Sequence, residues 1–101
     1  MLDEQKVYQF ELFFSTCGEI APRSVLATAA LPGINGGPAK FVAPAGDWIA
    51  LQQRLVDFLN LTPESLNSIQ SDLETSGLSK ITARFRPLDL FSAGFTPFSG
   101  A

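Results

Sequence analysis

The chain has 101 residues, which is enough for one modest domain, and its 46% apolar and 17% charged residues exclude a disordered chain. Ten acidic residues against seven basic ones give a formal net charge of −3, which disfavours nucleic acid and anionic membranes as partners. The absence of histidine excludes Ser-His-Asp and Cys-His catalysis and nearly all zinc sites.

Two further features bear on where the protein works. The N-terminal stretch MLDEQK lacks the apolar segment of a signal peptide, and no stretch approaches the ~18 apolar residues of a membrane span. The single cysteine, Cys17, excludes an intrachain disulfide and fits a reducing compartment. We therefore expect a cytoplasmic protein without membrane contact, and we expect neither enzymatic activity nor a cofactor or metal.

The first predicted strand covers residues 5–16. Its apolar residues recur with the period of two that is typical of a strand, and four of them share one face: Tyr8, Phe10, Leu12 and Phe14. The other face carries polar residues, but Val7 and Phe13 also fall on it.

The next segment, residues 23–31, is ambiguous. Its alternating valine and alanines suit a strand, while the alanines suit a helix equally well. The Gly- and Pro-rich stretch 32–38 and the short apolar run that follows it favour a hairpin with a long loop in this region.

Two consecutive helices are predicted at residues 47–60 and 62–76. Asp47 and Thr62 are typical N-cap residues, and Pro63 suits the first helical turn. An asparagine and a glycine at the two C-terminal ends favour the left-handed conformation that terminates helices. The apolar residues at helical spacing are Trp48, Leu51, Leu55, Phe58 and Leu59 in the first helix, and Leu66, Ile69 and Leu73 in the second.

Residues 79–86 alternate between apolar and polar side chains, which predicts a half-buried strand. The elements together predict a single α+β domain over residues 1–90, with an antiparallel sheet of three to four strands covered on one face by the two helices. We expect the first strand and the strand at 79–86 to be neighbours in the sheet centre. The predicted core consists of Phe10, Leu12, Phe14, Trp48, Leu51, Leu55, Phe58, Leu66, Ile69, Leu73, Ile81 and Phe85.

The corner between the helices resembles a known DNA-binding element. The residues that carry the likeness are Leu55, Val56, Phe58, Leu59, Asn60, Leu61, Thr62, Glu64, Ser65, Leu66, Ile69, Leu73, Gly77 and Leu78. In this register the run resembles the helix-turn-helix of bacterial winged-helix regulators of the cyclic-AMP receptor protein type. The likeness covers about a quarter of the chain.

The resemblance implies DNA contacts from the exposed face of the second helix and from the following strand, with Asn67, Ser68, Lys80, Arg84 and Arg86 as the contacting residues. The exposed face of that helix carries no basic residue, although phosphate binding depends on Lys and Arg. Helix caps and a turn residue are also what any short helical corner requires. A DNA-binding corner and a purely structural one therefore remain alternatives.

The basic residues of the last strand have a second interpretation. Lys80, Arg84 and Arg86 share one face of the predicted strand with Thr82, and charges on an edge strand discourage pairing with other sheets. A cross-strand pair with Glu11 is also possible, worth roughly 0.2–1 kcal/mol. Both interpretations predict that these side chains are exposed.

Residues 91–101 form a predicted tail rich in Phe, Gly and Pro. Its Phe91, Phe95 and Phe98 are candidates for binding a protein partner or a second copy of the chain, with their own core as the alternative cover. A large aromatic left in water forgoes ~1.5–3 kcal/mol of burial, so something should cover them.

The missing catalytic residues, the low charge and the aromatic tail together predict a non-enzymatic protein-interaction or self-association module, which implies a homo-oligomer. The first alternative is a degenerate winged-helix DNA-binding protein. The second is a domain that binds a small ligand in an aromatic-lined pocket between helices and sheet.

Overall fold

A computed structural model of the chain describes residues 3–16, 24–32 and 39–98. The elements in these ranges are β1 (Tyr8–Thr16), β2 (Ser24–Leu31), β3 (Ala39–Asp47), α1 (Trp48–Leu59), α2 (Pro63–Ser76), β4 (Leu78–Phe85), α3 (Pro87–Ser92) and β5 (Thr96–Pro97). The α+β class and both predicted helices are confirmed, and the described part of the ambiguous segment 23–31, residues 24–31, is a strand. Of the predicted loop at 32–38, only Pro32 is described. Cys17 lies outside the described residues.

Within the described ranges the sheet has five antiparallel strands in the order β4-β1-β2-β3-β5, where three to four strands were expected. After the β1-β2-β3 meander, α1 and α2 carry the chain to β4 beside β1, and α3 returns it to β5 beside β3. β1 and β4 are neighbours as predicted. The prediction that both lie in the sheet centre was wrong for β4, because β2 occupies the other side of β1 and leaves β4 at an edge.

Side-chain alternation gives the sheet two different faces. The covered face carries the apolar residues of β1 and β2 that are at most 1% exposed: Phe10, Leu12, Phe14, Val25, Ala27 and Ala29. These residues share one core with the buried residues of the helices, so α1, α2 and α3 all lie on this side. The register places Phe13 of β1, Thr28 of β2, Val42 of β3 and Lys80 of β4 together on the opposite side. We call this second side the open face, because no described helix packs on it.

Backbone caps explain why the helices begin and end where they do. The Asp47 carboxylate accepts the N–H of Ile49 at 2.7 Å, and α1 ends at Asn60, whose φ of 54° is left-handed. Gly77 ends α2 with a φ of 77°, a conformation that glycine adopts without steric strain. The cap residues expected from the sequence therefore act as predicted.

The N-cap of α2 gives a first testable prediction. The Thr62 hydroxyl accepts the N–H of Ser65 at 3.2 Å, so Thr62→Ala should lower the free energy of unfolding by about 1 kcal/mol. Urea denaturation measures the change. Thr75→Ala is the matched control, because Thr75 lies in the same helix and is exposed. Equal losses in both variants would contradict the capping role.

The predicted core is largely confirmed, with two differences. Phe58 was expected in the core but is 43% exposed. It lies about 100° around the helix from the buried Leu59, which turns it away from the sheet. Ile81 is only partly buried, because β4 is an edge strand.

The C-terminal segment adds to the core. The boundary predicted between domain and tail, at residue 91, falls inside α3. Leu90, Ala93 and Phe95 are each at most 1% exposed, and β5 pairs with β3. The described part of the predicted tail therefore belongs to the same folded body.

Candidate functional site

The open face of the sheet exposes several large apolar side chains. Phe13 is 40% exposed, Leu78 64% and Phe98 56%. Leu26 and Val42 lie on the same face and are partly buried by their neighbours. Strands β1 to β4 and the residue after β5 thus each contribute a large apolar side chain to the side of the sheet that is usually polar in a half-solvated antiparallel sheet.

A groove of about 540 Å³ lies at the β1–β4 side of this surface. Its lining combines aromatic, aliphatic, hydroxyl and charged side chains: Phe13, Phe14, Ser15, Thr28, Asp72, Leu78, Ser79 and Lys80. The lining residues Phe13, Thr28 and Leu78 are also open-face residues. The groove therefore makes the open face concave at this point, which suits the insertion of an apolar side chain.

The charges of the open face are arranged across neighbouring strands. Lys80 forms an ion pair with Glu11, which was one possible partner for the basic residues of the last strand. The Lys80 ammonium also lies 5.7 Å from the centre of the Phe13 ring, within the range of a cation–π contact. Lys40 and Arg84 are exposed on the same face. The face is thus apolar with three cations and one anion.

The nucleic-acid candidates do not form one surface. Asn67 and Ser68 are exposed on α2, which packs on the covered face of the sheet. Lys80 and Arg84 project from the open face, on the other side of the sheet. These two groups therefore point to opposite sides of the molecule.

Arg86 differs from the arrangement predicted for it. It was placed on the face of the last strand, but β4 ends at Phe85 and Arg86 is the N-cap residue of α3. Its guanidinium donates to both carboxylate oxygens of Asp89, at 3.0 and 3.1 Å. The hydrogen bond from Arg86, together with its charge, holds the pKa of Asp89 below the ordinary value although burial opposes this. Arg86 is therefore engaged at the start of α3.

The three candidate phenylalanines of the predicted tail lie in different environments. Phe95 is 1% exposed and belongs to the protein's own core, so it is not accessible to a partner. Phe91 is partly buried and its ring packs edge-on against Phe41, with centroids 5.6 Å apart. Phe98 alone among the three is largely exposed, and its N–H donates to the Lys40 carbonyl at 2.8 Å beside β5. Phe98 therefore joins the margin of the open face.

Helix α1 exposes apolar residues as well, but they do not form one patch. Ile49 and Val56 lie on the same side of the helix and border a groove of about 270 Å³. Phe58 is exposed about 200° around the helix axis from Val56. The open face is thus the more continuous of the two apolar surfaces.

Of the open-face residues, Lys80, Arg84 and Phe98 were candidates from the sequence, whereas Phe13, Val42 and Leu78 were not. A signal for Phe13 was present, because it falls with Val7 on the face of the first strand that otherwise carries polar residues. The contributions of Leu78 and Val42 become visible only when the strand order places them beside Phe13 and Thr28.

Other kinds of site have less support within the described residues. A cavity between β2, β3 and α1 has a volume of about 70 Å³, well below the ~300 Å³ of a small ligand pocket. The described ranges contain no group of three acidic or sulfur ligands arranged to hold a metal. None of the described helices is long and apolar enough to span a bilayer.

No family model, curated protein or solved structure matches this chain.

Proposed function

We propose that this chain is a non-enzymatic interaction module that associates with a second copy of itself through the open face of the sheet. The observation that carries the proposal is the group of exposed apolar side chains on that face, above all Phe13 and Leu78. Burying apolar surface is the main favourable contribution to protein association. Several large apolar side chains exposed on one side of a sheet are typical of an interaction site.

The size of the open face suits an interface. Four strands about 4.8 Å apart and eight to nine residues long cover roughly 500 Å², before β5 and the relief of the side chains are counted. A standard interface buries about 800 Å² on each partner. The face is therefore large enough to supply most of a stable contact.

The two alternatives have less support from the geometry. The resemblance to a DNA-binding corner needs the second helix and the basic strand to face the same duplex, whereas Asn67 and Ser68 of α2 project from the side opposite Lys80 and Arg84 of β4. The net charge of −3 also disfavours phosphate binding. A small-ligand site was expected between helices and sheet, and the groove of about 540 Å³ has Asp72 of α2 in its lining, but the exposed Phe13, Leu78 and Lys80 of the open face line it as well. An interaction surface accounts for both the groove and the exposed aromatics.

Light scattering coupled to size-exclusion chromatography tests the proposal. The expected molar mass rises with concentration from the 10.9 kDa of one chain to twice that value. A mass of one chain at every concentration up to about 1 mM, equivalent to association weaker than about −4 kcal/mol, would refute self-association. A duplex titration is run in parallel. Binding that weakens as salt rises would favour the DNA-binding alternative.

A further inference from the structure

The edges of the sheet are poorly suited to pairing with a second copy. Antiparallel self-pairing of β4 about Thr82 sets Lys80 opposite Arg84 of the second copy, and this happens twice. Moving the centre of this pairing by one residue in either direction leaves Lys80 and Arg84 as diagonal neighbours of the same cations in the second copy. Like charges opposite one another destabilise a strand pair. At the other edge, β5 is two residues long and its Pro97 has no N–H to donate.

The residues of the open face are arranged in rows that run across the strands. The strand registers and the Phe98–Lys40 hydrogen bond define two complete rows, each written from β4 to β5. The first row is Lys80, Phe13, Thr28, Val42 and Thr96. The second row is Thr82, Glu11, Ala30, Lys40 and Phe98. Strand β2 is the middle strand of both rows.

We infer that the second copy packs face to face on the open face, about a twofold axis that runs parallel to β2. This inference rests on the proposed function and specifies how the two copies meet. Rotation about such an axis keeps each row at its height and reverses the order of the strands. It therefore sets β2 against β2 of the second copy, β1 against β3, and β4 against β5.

This arrangement makes the two faces complementary. In the first row Phe13 meets Val42 of the second copy, which joins two apolar side chains. In the second row Glu11 meets Lys40 of the second copy, which joins opposite charges. Each contact occurs twice because the axis is twofold. Apolar contacts and ion pairs thus coincide in a single arrangement.

A second face-to-face arrangement lacks this complementarity. A twofold axis across the strands sets β4 against β4 of the second copy, which brings the two copies of Lys80 and Arg84 together. It also sets β1 against β1, so that Lys40 no longer faces an acidic residue. Juxtaposed like charges oppose association by several kcal/mol. Charge therefore selects the axis parallel to β2.

Cysteine cross-linking tests the arrangement. Thr28→Cys and Thr82→Cys are made separately in a chain that also carries Cys17→Ser. Thr28 lies on the middle strand, so its two copies face each other across the about 10 Å between packed sheets. Thr82 lies two strands from the axis, so its two copies are about 20 Å apart. A bismaleimide that spans about 10 Å is expected to link the Thr28→Cys dimer and to leave Thr82→Cys unlinked.

The outcomes separate this inference from the proposed function. Linking of Thr82→Cys without Thr28→Cys would show pairing through the β4 edge, because Thr82 then opposes its own copy at about 5 Å. A dimer that is linked in neither variant would also overturn the inference while self-association stands. A wild-type chain that stays monomeric would overturn both.

A charge exchange provides a second measurement on variants with intact folds. Lys40→Glu sets two acidic residues against each other in its own dimer, and Glu11→Lys sets two basic residues against each other. A mixture of the two variants restores opposite charges at both contacts, so at least tenfold tighter association is expected for the mixture than for either variant alone. Arg84→Glu is the control for a change of charge outside the two proposed contacts. Arg84 lies in the row with Gln9, and that row contains no acidic residue. Equal association in the mixture and in the single variants would refute the arrangement.

Discussion

Phe10→Ala is expected to lower the free energy of unfolding by about 3–5 kcal/mol, the range observed for removing a buried phenyl ring. Phe10 is fully buried on the covered face. Its ring stacks on Phe85 with centroids 4.9 Å apart and meets Phe41 edge-on at 6.0 Å. Removing it therefore leaves a cavity between β1, β3 and β4 that rigid aromatic neighbours cannot fill.

The matched control for this prediction is Phe58→Ala. The spacing of apolar residues assigned both phenylalanines to the core, but the structure leaves Phe58 43% exposed on α1. We expect a loss below about 1 kcal/mol, because part of the ring is already in water and alanine favours the helix. Urea denaturation of both variants at a concentration where the chain is monomeric gives the comparison. Equal losses would contradict the packing of α1 described above.

Phe13→Thr is expected to weaken self-association about 30-fold. The ring is 40% exposed in the single chain. Covering this exposed part on association contributes about 1 kcal/mol in each copy, or about 2 kcal/mol in a dimer. Threonine favours a strand, as phenylalanine does. The substitution also keeps both charges of the ion pair between Lys80 and Glu11. Sedimentation equilibrium measures the dissociation constant.

Phe58→Thr is the control for surface hydrophobicity. Phe58 is exposed to nearly the same extent as Phe13, but it lies on α1, on the helical side of the molecule. We expect its dissociation constant to match that of the wild type. An unchanged constant for Phe13→Thr, or equal weakening by both variants, would place the interface elsewhere than on the open face.

The two helices and their bounds follow from the sequence alone. Asp47, Asn60, Thr62 and Gly77 satisfy or redirect backbone groups within a few residues of themselves. Such interactions are local, so they can be read without knowledge of the rest of the chain. The alternation of Phe10 with its neighbours in β1 is equally local, and it correctly separated the two sides of that strand.

The sequence was less informative about the C-terminal segment. Its glycines and prolines indicated a weakly structured tail, but Phe95 packs into the core and Phe98 lies beside β3. The apolar residues of this short segment do not recur at helix or strand spacing, so their burial depends on tertiary contacts. Of the three phenylalanines proposed for partner binding, only Phe98 lies exposed at the candidate surface.

The sequence by itself determined the α+β class, the two capped helices and the residue types available for chemistry. Tertiary structure alone decided that β4 is an edge strand, that Phe58 faces water, and that Phe13, Val42 and Leu78 share one uncovered face. The physical reason is the separation along the chain between the residues that interact. Caps and alternation act between residues a few positions apart, whereas a surface made from five strands depends on which strands become neighbours, and that follows from how the whole chain buries its apolar side chains.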